Sequence, residues 1–254
     1  YGIAVTITMV ITTLLAYWVA RHRWGWGLPA ALGLTGLFLA VDLAFFGANV
    51  IKIEDGGWVP LVVAATVFLL MTTWKRGRQL LGEHSRSRTV PLADLFELMH
   101  VERPARVPGA GVFMTSNPEG TPPALLQNFL HNRVVHEQVV LLTIVTEEAA
   151  RVPFERRVET EPLEHGFVRV IARYGFMEEP DIPALLARED TPTPSIDHTT
   201  FFLGRETILS ANEGGMPKWR TNLFAAMARN AAQATSFFRI PHDRVFEVGA
   251  QVEL

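Results

Sequence analysis

The 254-residue chain carries 23 Lys and Arg against 26 Asp and Glu, a formal net charge of −3. No nucleic-acid partner is expected. Cysteine is absent, which removes disulfide scaffolds and thiolate metal centres and agrees with a reducing compartment for any water-exposed part.

The hydrophobic residues are concentrated at one end. Tyr1 to Ala20 holds no charged residue, and a helix of that length reaches roughly 30 Å, the hydrocarbon thickness of a bilayer. Trp26 to Ile51 carries one charge, Asp42, and is long enough to require tilt. Trp58 to Trp74 has none and is bracketed by two indoles, which prefer the headgroup level. A buried hairpin in a soluble core is the competing explanation, but three such runs in succession leave too little polar surface to cover them in a chain of this size. The predicted architecture is therefore membrane α-helical, with spans at 1–20, 26–51 and 58–74, a basic linker at 76–89 and an α/β domain at 90–254.

Basic residues set the orientation. Arg21 and Arg23 flank the first connection, and Lys75, Arg76 and Arg78 follow the third span, whereas Lys52 to Gly57 holds one Lys against Glu54 and Asp55. The first connection and the tail are thus expected on the cytoplasmic side. A chain that opens inside an apolar run with no basic n-region does not read as a secretory signal, and is expected to be preceded by further spans.

Inside the spans, Phe38, Asp42, Phe45 and Asn49 share one helical stripe, and Gly36, Ala40, Ala44 and Ala48 form a second, small-residue stripe suited to close helix approach. On the first span Gly2, Thr6, Met9, Thr13 and Tyr17 share a face. Asp42 stands near mid-membrane, where a carboxylate costs about 2.5 to 3.5 kcal/mol, so it is expected to have a partner. It reads either as an ion-path or proton-carrying group or as a hydrogen-bonded packing residue, and Asn49 and Thr6 are the other polar candidates. Threonines here readily bond back to a carbonyl of their own helix. The basic stretch Lys75 to Arg88 reads as a topology signal or as a segment drawn to anionic lipid.

Beyond Val90 the pattern alternates between helix and strand. The expected elements are a helix at Pro91 to His100, a turn through Pro104, Pro108 and Gly109, and a strand at Ala110 to Thr115. Next come a helix from Thr121 to Asn132 with Pro122 at its first position and a buried strand at Gln138 to Thr146, together a βαβ unit. Strands follow at Arg157 to Glu161 and Phe167 to Tyr174, then a short helix at Asp181 to Arg188 and a Thr- and Pro-rich loop. A strand at Thr199 to Leu203, a helix from Lys218 to Phe238 and a strand at Arg244 to Glu253 complete the domain.

The turn Thr115-Ser116-Asn117-Pro118 is placed where anionic ligands bind in open α/β sheets, but neither G-x-G-x-x-G nor a P-loop is present. His131 and His136 flank the end of a helix without metal-ligand spacing, and no nucleophile motif occurs. No cofactor, no metal site and no enzymatic activity are expected. The helix from Lys218 to Phe238, with Arg239 directly after it, carries Lys218, Arg220, Arg229 and Arg239 without an acid, which suits either anionic lipid or core packing through Leu223, Phe224, Met227 and Ala231.

The chain resembles the KUP/HAK/KT potassium uptake permeases. In the spans the likeness lies in Tyr1-Gly2-Ile3-Ala4-Val5-Thr6, Asp42-Leu43-Ala44-Phe45-Phe46, Gly56-Gly57-Trp58-Val59-Pro60-Leu61 and Met71-Thr72-Thr73-Trp74. In the tail it lies in Thr115-Ser116-Asn117-Pro118, Pro122-Pro123-Ala124-Leu125, Arg173-Tyr174-Gly175-Phe176-Met177, Phe202-Leu203-Gly204-Arg205-Glu206 and Met227-Ala228-Arg229-Asn230-Ala231. One departure is Ile7, at a place where the family usually has Gly.

The resemblance implies a twelve-span, LeuT-like permease of the inner membrane that brings in K+ together with H+. These spans would be its last three and the tail its cytoplasmic domain, with a homodimer left open. It also implies that the ion-binding residues lie on broken helices elsewhere, so no potassium ligand is assigned here. Two readings from other classes stand beside it. One is a membrane-tethered sensor binding an anionic ligand such as a nucleotide at the Ser116 turn, and the other a membrane-anchored enzyme.

Overall fold

In the computed structural model, the described residues are 2–54, 56–87, 89–188, 191, 196–209, 215–231 and 237–253. The chain divides into two compact units, Tyr1–Trp74 and Lys75–Leu254.

The first unit is helical. Helix α1 is Gly2–His22, α2 is Leu28–Val50 and α3 is Trp58–Ser87, and each is long and apolar enough to cross a membrane. Pro29 stands in the first turn of α2, where its missing N–H leaves no helical bond unmade. The buried and half-buried positions of α1 are Gly2, Ile3, Thr6, Ile7, Val10, Thr13, Tyr17 and Ala20, and those of α2 are Ala31, Thr35, Leu39, Asp42, Phe46 and Asn49. Both sets recur at three- and four-residue spacing, the period of one helix face.

Those faces differ from the predicted ones. Met9 falls outside the α1 face, and Phe38 and Phe45 are 52% and 55% exposed, because the α2 stripe runs through Leu39 and Phe46. The Gly36, Ala40, Ala44 and Ala48 stripe is exposed, and nothing lies close enough to Gly36 to meet an added Cβ. The expected linker at 76–89 is helical as far as Ser87. Gln79, Leu80 and Leu81 are good helix formers, so the helix of the third apolar run propagates into polar sequence.

The second unit is built on a six-stranded sheet of order β3-β4-β2-β1-β5-β6. Its strands are β1 Ala105–Thr115, β2 Val134–Glu147, β3 Val158–Pro162, β4 Phe167–Gly175, β5 Thr199–Leu209 and β6 Val245–Glu253. All neighbours are parallel except β3, which pairs antiparallel with β4 at one edge. The βαβ reading holds: β1 and β2 are parallel and adjacent. Its partner on the other side, β5, comes from far along the chain.

The sheet is covered on both faces, as a parallel sheet must be. Val140 and Leu142 of β2 join one cluster with Val170, Phe201 and, from α6 (Ile182–Leu186), Ile182, Leu185 and Leu186. The alternate residues Val139 and Leu141 join the other. There they meet Leu92, Leu95 and Met99 of α4 (Leu92–Glu102) and Ala124 and Leu125 of α5 (Pro123–Gln127).

Three local expectations are corrected. Pro108 and Gly109 lie inside β1 at a register shift between Val107 and Ala110, rather than in a turn before it. Gly109 has φ +95 there, and a Cβ would come within 2.5 Å of the His198 carbonyl oxygen. The helix expected from Thr121 to Asn132 is the five-residue α5, with Pro122 as its N-cap, followed by a π-helical turn at Asn128–Asn132. Asn128 diverts the chain: its side chain donates to the Val134 carbonyl and accepts from Asn132. Helix α7 is Lys218–Arg229 and ends before Phe238, its C-cap Asn230 donating its side chain to the Ala226 carbonyl. Residues 232–236 and most of the Thr- and Pro-rich loop lie outside the described residues.

Candidate functional site

Asp42 is the charged side chain of the apolar runs, and it is 5% exposed. The Thr13 hydroxyl on α1 donates to Asp42 Oδ2 at 2.5 Å. Beside the pair, Ala4, Val5, Thr8, Met9 and Thr12 line a shallow, mainly apolar groove. The Thr8 and Thr12 hydroxyls donate to the carbonyls of Ala4 and Thr8, at 2.9 and 2.8 Å, so their oxygens keep lone pairs. One carboxylate and three hydroxyl-bearing side chains, Thr8, Thr12 and Thr13, therefore line one groove.

The other two candidates are engaged differently. Thr6 donates to the carbonyls of Gly2 and Ile3, both at 3.1 Å. Asn49 donates to the Phe45 carbonyl at 2.9 Å, and its side-chain amide fills the space that a Cβ on Gly2 would need. Both stand on the buried faces of α1 and α2, and neither borders the groove. Thr8 and Thr12 are the groove residues that sequence reasoning did not single out, whereas Thr13 stood on the predicted α1 face. Their signal was a hydroxyl at every fourth position, Thr8 to Thr12, beside the one mid-span carboxylate.

In the α/β unit, the Ser116 turn spends its polar groups on itself. Thr115 Oγ1 accepts from the Asn117 amide and donates to the Asn117 carbonyl, and Asn117 Oδ1 accepts from the Glu119 amide. A tighter polar centre lies at the carboxyl end of β4. Glu178 accepts from the amides of Gly175 at 2.8 Å and Val152 at 2.9 Å and pairs with Arg157. The Gly175 amide first, then that of Val152, holds the Glu178 carboxyl below the ordinary carboxylate range. Arg157 also lies over the Tyr174 ring at 5.3 Å. These bonds tie the 148–157 connection to the end of β4. His136 sits on β2 beside Phe202, its Nδ1 has no hydrogen-bond partner, and burial lowers its pKa. Among the described residues, no three His, Asp or Glu side chains converge as metal ligands would.

Two family models cover nearly the whole of this architecture. Residues 1–79 match the K+ potassium transporter integral membrane domain, and residues 108–254 match the K+ potassium transporter C-terminal domain. The chain belongs to the KUP/HAK/KT potassium transporter family. It is 58% identical to the "Probable potassium transport system protein Kup" of Myxococcus xanthus over 256 aligned residues, covering all of this chain and 39% of that relative. It is 50% identical to "Probable potassium transport system protein Kup 2" of Chromobacterium violaceum, over 41% of that relative. With "Probable potassium transport system protein Kup 1" of Geobacter sulfurreducens the identity is 48%, again over 41% of its length. The chain thus spans about two fifths of the length of the curated relatives it matches. Family membership makes the helices of the first unit integral to a membrane, as their length and hydropathy require. The Asp42 groove lies inside the part that this membrane-domain match covers.

Proposed function

We propose that this chain is part of a potassium uptake transporter, a K+:H+ symporter of the inner membrane, with its α/β domain on the cytoplasmic side in a regulatory or assembly role. What supports this is the similarity of the chain, end to end, to relatives named as potassium transport proteins. The Lys and Arg distribution favours the cytoplasmic placement, since Lys75, Arg76 and Arg78 follow the third apolar run. Within the membrane unit, Asp42 is the residue suited to carry or relay a proton, with Thr13 orienting it. No K+ ligand is assigned to these residues.

The test is uptake of K+, or of rubidium as its tracer, by cells that lack other uptake systems and express the protein containing this chain. Uptake should rise as the outside is acidified and fall when a protonophore collapses the gradient. Uptake that follows membrane potential alone, at every pH, would remove the symport. The Asp42→Asn variant, expressed at the parent level, should lose the pH dependence of uptake. Parent-like uptake and pH dependence in that variant would reduce Asp42 to a packing role.

A further inference from the structure

The basic residues after the third apolar run are joined in the fold by a second basic segment from far along the chain. In the second unit, Gly77 of α3 lies flat against Phe224 of α7, where a Cβ would run into the ring. Phe224 is fully buried. Just before α7, Gly215 is packed so that a Cβ there would come within 2.7 Å of the Leu80 side chain and 3.3 Å of the Arg76 guanidinium. The start of α7 is therefore held beside the Lys75–Leu80 turns.

The two segments share one sign of charge. Residues 75–87 and 218–229 contain Lys75, Arg76, Arg78, Arg86, Lys218, Arg220 and Arg229 against the single acid Glu83. Lys75, Arg76, Arg78 and Lys218 are exposed, and among the described residues none of the four has an ion-pair partner. Trp219, next to Lys218, is 57% exposed. Four cations without an ion pair among the described residues, and an exposed indole, carried on two segments that pack against each other, suit a surface that is anionic outside and apolar beneath, because an indole favours the level of lipid headgroups.

We propose that the Lys75–Arg78 turn and the start of α7 together form a docking surface for anionic phospholipid headgroups, with Lys75, Arg76, Arg78 and Lys218 supplying the charge and Trp219 entering the interface. A membrane rather than a soluble phosphate is the fitting source. Lys75 directly follows Trp74, the last residue of the third apolar run. The Lys75–Arg78 segment thus begins at the residue after the apolar run, where basic side chains meet the headgroup level. Lys218 joins that turn only through the fold. The inference is independent of which ion the protein carries.

The chain has three lysines, Lys52, Lys75 and Lys218, so amine acylation read by mass spectrometry reports on the surface directly. The full chain is reconstituted in bilayers of phosphatidylcholine alone and of phosphatidylcholine with phosphatidylglycerol. Lys218 is the informative site, since no sequence neighbour ties it to the membrane. The expected result is several-fold slower acylation of Lys218 in the anionic bilayer, reversed by high salt and lost in the Arg76→Gln plus Arg78→Gln variant. Equal rates in the two bilayers overturn the proposal. Slow acylation in both, indifferent to salt, overturns it in favour of burial by protein. Protection by inorganic phosphate over a neutral bilayer overturns it in favour of a soluble anion.

Discussion

Thr13 directs its hydroxyl away from its own helix: it donates to Asp42 on α2 at 2.5 Å, whereas Thr6, Thr8 and Thr12 donate to carbonyls three or four residues back on α1. That one bond partners a buried carboxylate inside an apolar run, where burial without a partner is expensive. Thr13→Val should therefore destabilise the α1–α2 pair. Leaving a buried acceptor unsatisfied costs about 1–3 kcal/mol, and interhelical bonds in membranes average about 0.6 kcal/mol, so a loss of roughly 0.5–2 kcal/mol is expected. Thr13→Ser should restore it. Reversible unfolding in detergent or bilayer checks both, and a Thr13→Val variant as stable as the parent refutes the pairing.

Glu178 carries a pH prediction. The amides of Gly175 and Val152, and then Arg157, favour its charged form, so its folded pKa lies below the unfolded value of about 4.3. The unfolded chain then binds a proton that the folded domain refuses, and stability rises with pH through that window. The contribution is fully present above about pH 4.3 and is lost as pH falls through the folded value. Denaturant unfolding across the acid range should show this slope in the parent and a flatter one in Glu178→Gln.

Gly109 is required by its backbone. Its φ of +95 is unfavourable for residues with a Cβ, and that atom would also crowd the His198 carbonyl. Gly109→Ala should cost about 1–3 kcal/mol, visible as a lowered Tm of the α/β unit. An unchanged Tm would mean that the bulge in β1 relaxes freely.

Phe224 and Gly77 test the packing of α7. Phe224→Ala removes a fully buried ring and should cost about 3–5 kcal/mol. Gly77→Val should act in the same direction, because a Cβ there would come within 2.4 Å of the Phe224 ring. Limited proteolysis should cut near α7 earlier in both variants. Substitution of the exposed Trp219 should change stability by less than about 0.5 kcal/mol, which separates a surface role from a core one.

Much of this was readable before folding. The three helices of the first unit were legible because hydropathy is a sum over neighbours in sequence, and Trp58 opens α3 as predicted. The strands were legible because buried parallel strands are continuous apolar runs, and Val139–Leu142 is one. Element ends were not: α5 gives way to a π turn because of what the Asn128 side chain reaches, the carbonyl of Val134. Similarly, the α2 face runs through Leu39 and Phe46 rather than Phe38 and Phe45. A one-residue rotation of a uniformly apolar helix leaves almost no trace in its sequence.

Asp42 was visible as a residue in need of a partner, since its cost in lipid depends only on its own charge and its neighbours' apolarity. That the partner is Thr13 and not Thr6 was decided by how α1 lies against α2. The same division runs through the tail. Local periodicity determined that β1 and β2 exist and run parallel, whereas the placement of β5 on the far side of β1, and of Phe224 against Gly77, arose only in three dimensions. Hydropathy and period are short-range properties written into consecutive residues. Which distant surfaces meet depends on shape and packing over the whole unit, and no window of sequence contains it.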